Sequence, residues 1–281
     1  MRRLPRFKEG WTTLLLLVTI TLVASIAITQ TELIAGLEIV PMAAILGLLT
    51  GTALAKSKFK DGTTYVFALI FGLFTIFYLI GLILPEQIVW RERVFNILSR
   101  QATWFQKAFS GGISRDGLIF VIQTTAVYWL LGYTAAWYTF RYPRVWRAIV
   151  PMGLVLLSVV YYYNGPRPLL LYLAAFALLA LLFVARTHLA AQENEWRSTA
   201  VRYERGIWFD FLRAAFLVAV FVMFLSWSLP TLSASTSMND ALSSTQGPWR
   251  RFQDDWTRLF ASLRAYGSAT TDPYEESLVL G

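Results

Sequence analysis

Apolar residues in this chain fall into seven long runs separated by short polar stretches. The runs cover approximately residues 11–28, 37–55, 64–84, 118–140, 148–163, 169–184 and 209–229. A helix needs about 20 residues to cross the hydrocarbon core of a bilayer. Most of the runs meet that length, and the pattern predicts a polytopic membrane protein. The fifth and sixth runs are slightly short. Asn164-Gly165-Pro166-Arg167-Pro168 joins them and cannot continue a helix, so the two predict a tight helical hairpin. If that hairpin did not cross fully, two spans would be lost together and the topology elsewhere would stand.

The basic residues between the runs give the chain a direction. Fourteen Lys and Arg lie in the N-terminus, the second-to-third loop, the fourth-to-fifth loop and the sixth-to-seventh loop, and six lie on the opposite side. Lys and Arg near span ends are retained in the cytoplasm, so the first side is predicted cytoplasmic and the tail from Pro230 onward extracytoplasmic. The formal net charge of +8 is therefore mainly a topology signal and does not point to nucleic acid. The first run, with its basic flank, could be mistaken for a signal peptide. Its length of about 18 residues exceeds the usual apolar core of such a peptide, and it reads as a retained anchor. Trp11, Trp90, Trp137, Trp146 and Trp208 lie at or near run ends, where an indole meets apolar chains on one edge and water on the other.

Two further segments carry helical periodicity without being long enough or apolar enough to span. In residues 86–109, Trp90, Val94, Ile97, Leu98, Phe105 and Phe109 recur at helical spacing, while Arg91, Arg93, Arg100 and Lys107 take mostly other directions. This predicts an interfacial amphipathic helix on the outer surface, its basic side chains snorkelling to headgroups, ended by Gly111-Gly112. The same face could instead receive a partner or a downstream domain. In the tail, a Ser/Thr-rich linker leads to Pro248 and a stripe of Trp249, Phe252, Trp256, Leu259, Phe260 and Leu263. The expected fold is an all-α integral membrane protein, with about seven transmembrane helices plus two extracytoplasmic amphipathic helices. Residues 1–230 form the bundle. Residues 231–281 form a linker and helix that lead to a missing domain, since the closing Leu278-Val279-Leu280-Gly281 resembles the first strand of something that does not follow.

Composition narrows the chemistry. The chain has 281 residues, is 56% apolar and only 15% charged, and contains no cysteine and one histidine. Disulfides, Cys nucleophiles and Cys/His zinc sites are excluded within it. No phosphate loop, nucleophile elbow or HExxH motif is present. His188, read as a solvated loop residue, has no second histidine or cysteine to share a metal, and no cofactor is expected. An ionisable residue deep in a span would mark function by default. Only Asp210 and Arg213 come close. They are three apart near the inner end of the seventh span, where a pair would anchor the helix. Asp116 is placed to cap the fourth span. Gly47 and Gly51, extended by Ala43 and Ala55, form a Gly-x-x-x-Gly that lets helix backbones approach, within the chain rather than between copies. Pro41 and Pro151 are expected near the starts of the second and fifth spans, where a missing N–H costs little.

The ordered set Asp116-Gly117-Leu118-Ile119-Phe120, Ala135-Ala136-Trp137, Arg141 and Pro151-Met152-Gly153-Leu154 resembles the membrane region of bacterial transglutaminase-like membrane proteins of the TgpA type. So do Tyr161-Tyr162-Tyr163-Asn164, residues 182–189, Trp196 with Tyr203, Phe209-Asp210-Phe211-Leu212-Arg213, Leu229-Pro230 and Gly247-Pro248-Trp249-Arg250-Arg251. The first three spans match in hydropathy alone. The resemblance implies that an extracytoplasmic domain with papain-like Cys-His-Asp acyl-transfer chemistry follows the bundle, in cis or supplied in trans. None of the family's catalytic residues can be carried over to a chain without cysteine. The expected role is then an anchor in the cell membrane, N-terminus inside and C-terminus outside, whose partners are the lipid bilayer and that domain. A transporter or channel subunit, or a membrane enzyme acting on lipid-linked substrates, are the alternatives.

Overall fold

The computed structural model describes residues 10–85, 87–112, 116–163, 165–198 and 213–221. Every regular element among the described residues is helical, in the order α1 (Trp11–Thr29), α2 (Val40–Ala55), α3 (Asp61–Ile83), α4 (Trp90–Ser110), α5 (Gly117–Phe140), α6 (Val145–Tyr162) and α7 (Leu170–Ser198), with a single 3-10 turn (Leu37–Ile39) leading into α2. Six of these elements are long and apolar enough to cross a membrane: all but α4, with the 3-10 turn counted into the second. The chain is thus an all-α, multi-pass membrane protein. Of the seventh expected span, residues 213–221 are described and are helical.

Helix boundaries follow local chemistry. Pro41 occupies the first turn of α2, as expected. Asp116 is the N-cap of α5, and its carboxylate accepts the Leu118 backbone N–H at 3.0 Å, satisfying one of the orphan donors of that helix start. At the end of α4, Gly111 adopts φ 77°. The Gly112 N–H then reaches back to the Lys107 carbonyl at 2.8 Å, which closes the helix in a Schellman-type turn that only glycine enters without strain.

Three boundaries differ from expectation. The helix expected over residues 86–109 starts at Trp90, because the chain leaving α3 passes through Pro85 and stays extended at Val89. The fifth span begins at Val145, so Pro151 stands inside α6 and not in its first turn. Both hairpin helices have spanning length, and α7 continues well past residue 184 because no Gly or Pro interrupts it before Ser198. Arg186 and His188 therefore lie on a helix and not in a loop; His188 is exposed.

α5 is the centre of the bundle. Its interface with α2 is the most extensive, and it also packs against α6, α3 and α1, while α1 leans on α7, α2 and α6. Several hydroxyls on the spans are absorbed by their own helices. The hydroxyls of Thr21, Thr52 and Thr139 donate to the carbonyls of Leu17, Leu48 and Ala135 at 2.7–2.8 Å, a way of satisfying a buried hydroxyl without water. Tyr128 links two helices, donating to the Ala24 carbonyl of α1 at 3.1 Å.

Candidate functional site

The α2–α5 seam brings backbone against backbone. A Cβ added to Gly47 would collide with the Trp129 carbonyl oxygen, and one added to Gly51 would lie 2.5 Å from the Tyr133 carbonyl oxygen. The partner helix supplies its own glycine. A Cβ at Gly132 would strike the Ala44 carbonyl. Gly47 and Gly51 thus face a single surface of α5, within one chain. Gly132 was not singled out from the sequence, because a lone glycine in an aromatic stretch carries no spacing signal. Beside the seam, Trp129, Tyr133 and Trp137 form a ladder one turn apart, with ring centroids 5.6 and 5.9 Å apart. Gly72 of α3 leaves room for the Trp129 indole.

Beyond the seam, contacts gather at the two ends of the bundle. At one end lie the α1–α2 turn, the hairpin turn, the end of α3 and α4. Arg167 donates to the Gln30 carbonyl at 3.1 Å and pairs with Glu32, tying the hairpin turn to the α1–α2 turn. Arg93 does more. The residue is 7% exposed, and its guanidinium donates to the carbonyls of Gly81 (2.7 Å), Ile88 (2.8 Å) and Pro85 (2.9 Å). The last carbonyls of a helix have no partner along the chain and carry partial negative charge, so a planar cation with five donors suits the end of α3. Trp90 lies under the same guanidinium at 5.1 Å and stacks on Tyr78 of α3 at 5.7 Å.

α4 is held a second time by Arg100, which pairs with Asp116 at 2.8 Å and with the Asn96 side chain at 2.7 Å. Ser99, Arg100, Thr103, Trp104, Lys107, Asp116 and Ile119 line a cleft of about 140 Å³ between α4 and α5. The expected arrangement of α4 is partly reversed. Arg93 and Arg100 do not snorkel away; they dock on the bundle, on the side that also carries the buried Ile97. Phe95, Leu98, Phe105 and Phe109 point away from it, with Phe95 72% and Phe109 89% exposed. The Gly81 carbonyl in the last turn of α3, with those of Pro85 and Ile88 in the connection beyond it, decides this for Arg93. A guanidinium gains more by meeting them than by reaching toward solvent.

At the opposite end, Arg141 donates to the carbonyls of Ser57 (2.9 Å) and Phe59 (2.8 Å) and pairs with Asp61 at 3.1 Å. It joins the α2–α3 and α5–α6 loops, two of the basic stretches that the charge pattern puts on one side. Tyr142 donates its hydroxyl to the same Asp61 carboxylate, and that hydrogen bond holds the phenol pKa above its ordinary value. Arg186 of α7 donates to the Thr12 hydroxyl at 2.8 Å.

No family model, curated protein or solved structure matches the chain.

Of the residues singled out from sequence, Gly47 and Gly51 lie in the seam, and Arg213 is helical and exposed. Asp210, Trp249 and Trp256 lie outside the described residues. No group of three His, Asp or Glu among the described residues converges on a point that could hold a metal. The described residues build a close-packed seam through the membrane-spanning region, and arginine clasps that fix the loops and α4 at its ends.

Proposed function

We propose that the chain is the membrane anchor of a TgpA-type transglutaminase-like system, a scaffold that positions an extracytoplasmic acyl-transferase domain and carries none of its catalytic residues. The observation that carries this reading is the double clasp on α4. Arg93 and the Arg100–Asp116 pair fix a non-spanning helix rigidly on the end of the bundle that the basic-residue pattern puts outside. A helix so held, with Phe95, Leu98, Phe105 and Phe109 turned away from the bundle, suits a platform or an interfacial float more than a catalytic wall. In this reading the seventh span covers residues 209–229, the N-terminus is cytoplasmic, and the tail with Trp249 and Trp256 is a second amphipathic helix outside the cell membrane. The absence of cysteine removes the nucleophile from this chain, so the domain is joined in cis or supplied in trans.

A pair of topology reporters fused after Gly281 tests the orientation. Activity of the reporter that works only outside the cytoplasm is expected, and activity of the cytoplasmic reporter alone defeats the reading. Reading the coding sequence beyond Gly281, and co-purification with a transglutaminase-like domain, test the partner.

One observation favours a second reading, a transporter or channel subunit. Thr125 Oγ1, Trp129 Nε1 and Tyr133 Oη lie one turn apart on α5, buried, with no hydrogen-bond partner among the described residues. Solute flux into proteoliposomes that vanishes in Y133F, with the bundle intact, would support it over the anchor.

A further inference from the structure

Between α5 and α6 runs a lateral groove of about 350 Å³, lined by Leu130, Leu131, Thr134, Tyr138, Arg147 and Pro151. Its origin is local. Pro151 stands inside α6, where it has no N–H to offer the Arg147 carbonyl, and its ring lines the groove. The wall is apolar even where the sequence is not. The Thr134 hydroxyl is turned back onto its own helix, at 2.8 Å from the Leu130 carbonyl and 3.2 Å from that of Leu131. The mouth is different. Arg147 lies over the Tyr138 ring at 5.6 Å and makes no ion pair among the described residues, whereas its neighbour Arg141 is already committed to Asp61. Trp146, 68% exposed, stands beside it at the level where indoles meet headgroups.

We propose that this groove seats one acyl chain of an anionic phospholipid, with the lipid phosphate held at the mouth by Arg147. Shape and charge divide the work. The mainly apolar slot accepts a hydrocarbon chain, and the guanidinium of Arg147 selects a headgroup that carries net negative charge. Basic positions between transmembrane helices at a membrane face suit such headgroups. The proposal holds for either orientation of the bundle and is independent of the anchor reading, since it concerns the leaflet at the α5–α6 loop whichever side that is.

Native mass spectrometry of the full chain, released from detergent with added phosphatidylglycerol or phosphatidylcholine of the same acyl composition, tests it. One retained phosphatidylglycerol is expected, preferred over phosphatidylcholine by about fivefold at low salt, the weight of a single basic side chain near a membrane surface. R147Q should lower phosphatidylglycerol retention about fivefold, to the phosphatidylcholine level, and R147K should keep the preference. T134W, which fills the slot, should remove retention of both lipids, while R91Q on α4 should change neither. Wild-type retention of phosphatidylglycerol by R147Q, or by T134W, overturns the proposal. Should T134W fail to fold, the wild-type protein decides: a preference that fades at 1 M salt is expected, and one that persists unchanged overturns it.

Discussion

The α2–α5 seam and the α3–α4 corner are both tight, and they are tight for opposite reasons. The seam is made by removing atoms: Gly47, Gly51 and Gly132 bring backbone against backbone, with no ion pair between the two helices. The corner is made by adding a large polar side chain, Arg93, whose guanidinium spans three carbonyls. Within the hydrocarbon region each helix already satisfies its own backbone. Lipid is as apolar as leucine, so helices gain little by hiding apolar surface and associate where shape allows close van der Waals contact. At a helix end the last carbonyls are unsatisfied, and a charged donor is worth more than a close fit.

The sharpest way to break the comparison is to thicken the seam. Gly132→Leu should abolish the folded bundle, seen as loss of the monodisperse peak on size-exclusion chromatography in detergent. Gly132→Ala should cost about 3 kcal/mol, because backbone carbonyls cannot step aside as a flexible side chain can. An alanine variant that melts like wild type would show that the seam is looser than described.

Arg93→Met should come next, at about 2–3 kcal/mol for lost charge-assisted hydrogen bonds. Its effect should be local. Hydrogen exchange should quicken in α4 while α2 and α5 stay protected, and Arg93→Lys should rescue only partly, since an ammonium cannot span three carbonyls in one plane. Loss of protection throughout the bundle would instead merge the two regions into one cooperative unit.

Asp116→Ala should cost about 1 kcal/mol by removing a cap and the partner of Arg100, with Asp116→Asn recovering the cap but not the pair. A thermal melt of the three proteins separates the two contributions. Gly62→Ala is the smallest change and should reverse the sign. Nothing lies within 4 Å of a Cβ there, so gains of helix propensity of about 0.5–1 kcal/mol are expected where the seam glycines give losses. Equal behaviour of Gly62 and Gly132 would remove the physical basis of the comparison.

The legibility of these regions from sequence was uneven. Gly47 and Gly51 announce close packing by their four-residue spacing, but the surface they meet does not announce itself. Gly132 is a single glycine among rings, and its role comes from Gly47 and Gly51 lying opposite. Asp116 was readable as a cap because capping is local chemistry. Arg93 was not readable as a clasp. Its partner Gly81 belongs to the last turn of another helix and Pro85 to the connection that follows, and on a helical wheel Arg93 is one of four basic residues beside an apolar stripe. Pro151 was misplaced because the run of apolar residues begins at Ala148, whereas helical structure begins at Val145, three residues earlier, through Trp146 and Arg147.

The sequence by itself determined that this chain enters a membrane, which segments are able to cross it, and where its loops gather charge. Each of those depends on the transfer of a segment or a side chain between water and lipid, a property of composition over about 20 residues. The tertiary structure alone decided which side of each helix faces inward, that α5 stands at the centre, and that Arg93 and Arg100 of α4 dock while its phenylalanines turn away. The reason is that lipid does not distinguish one apolar helix face from another. Only the fit of particular atoms does, a glycine against a carbonyl or a guanidinium against an open helix end, and that fit exists only once the partner helix is in place.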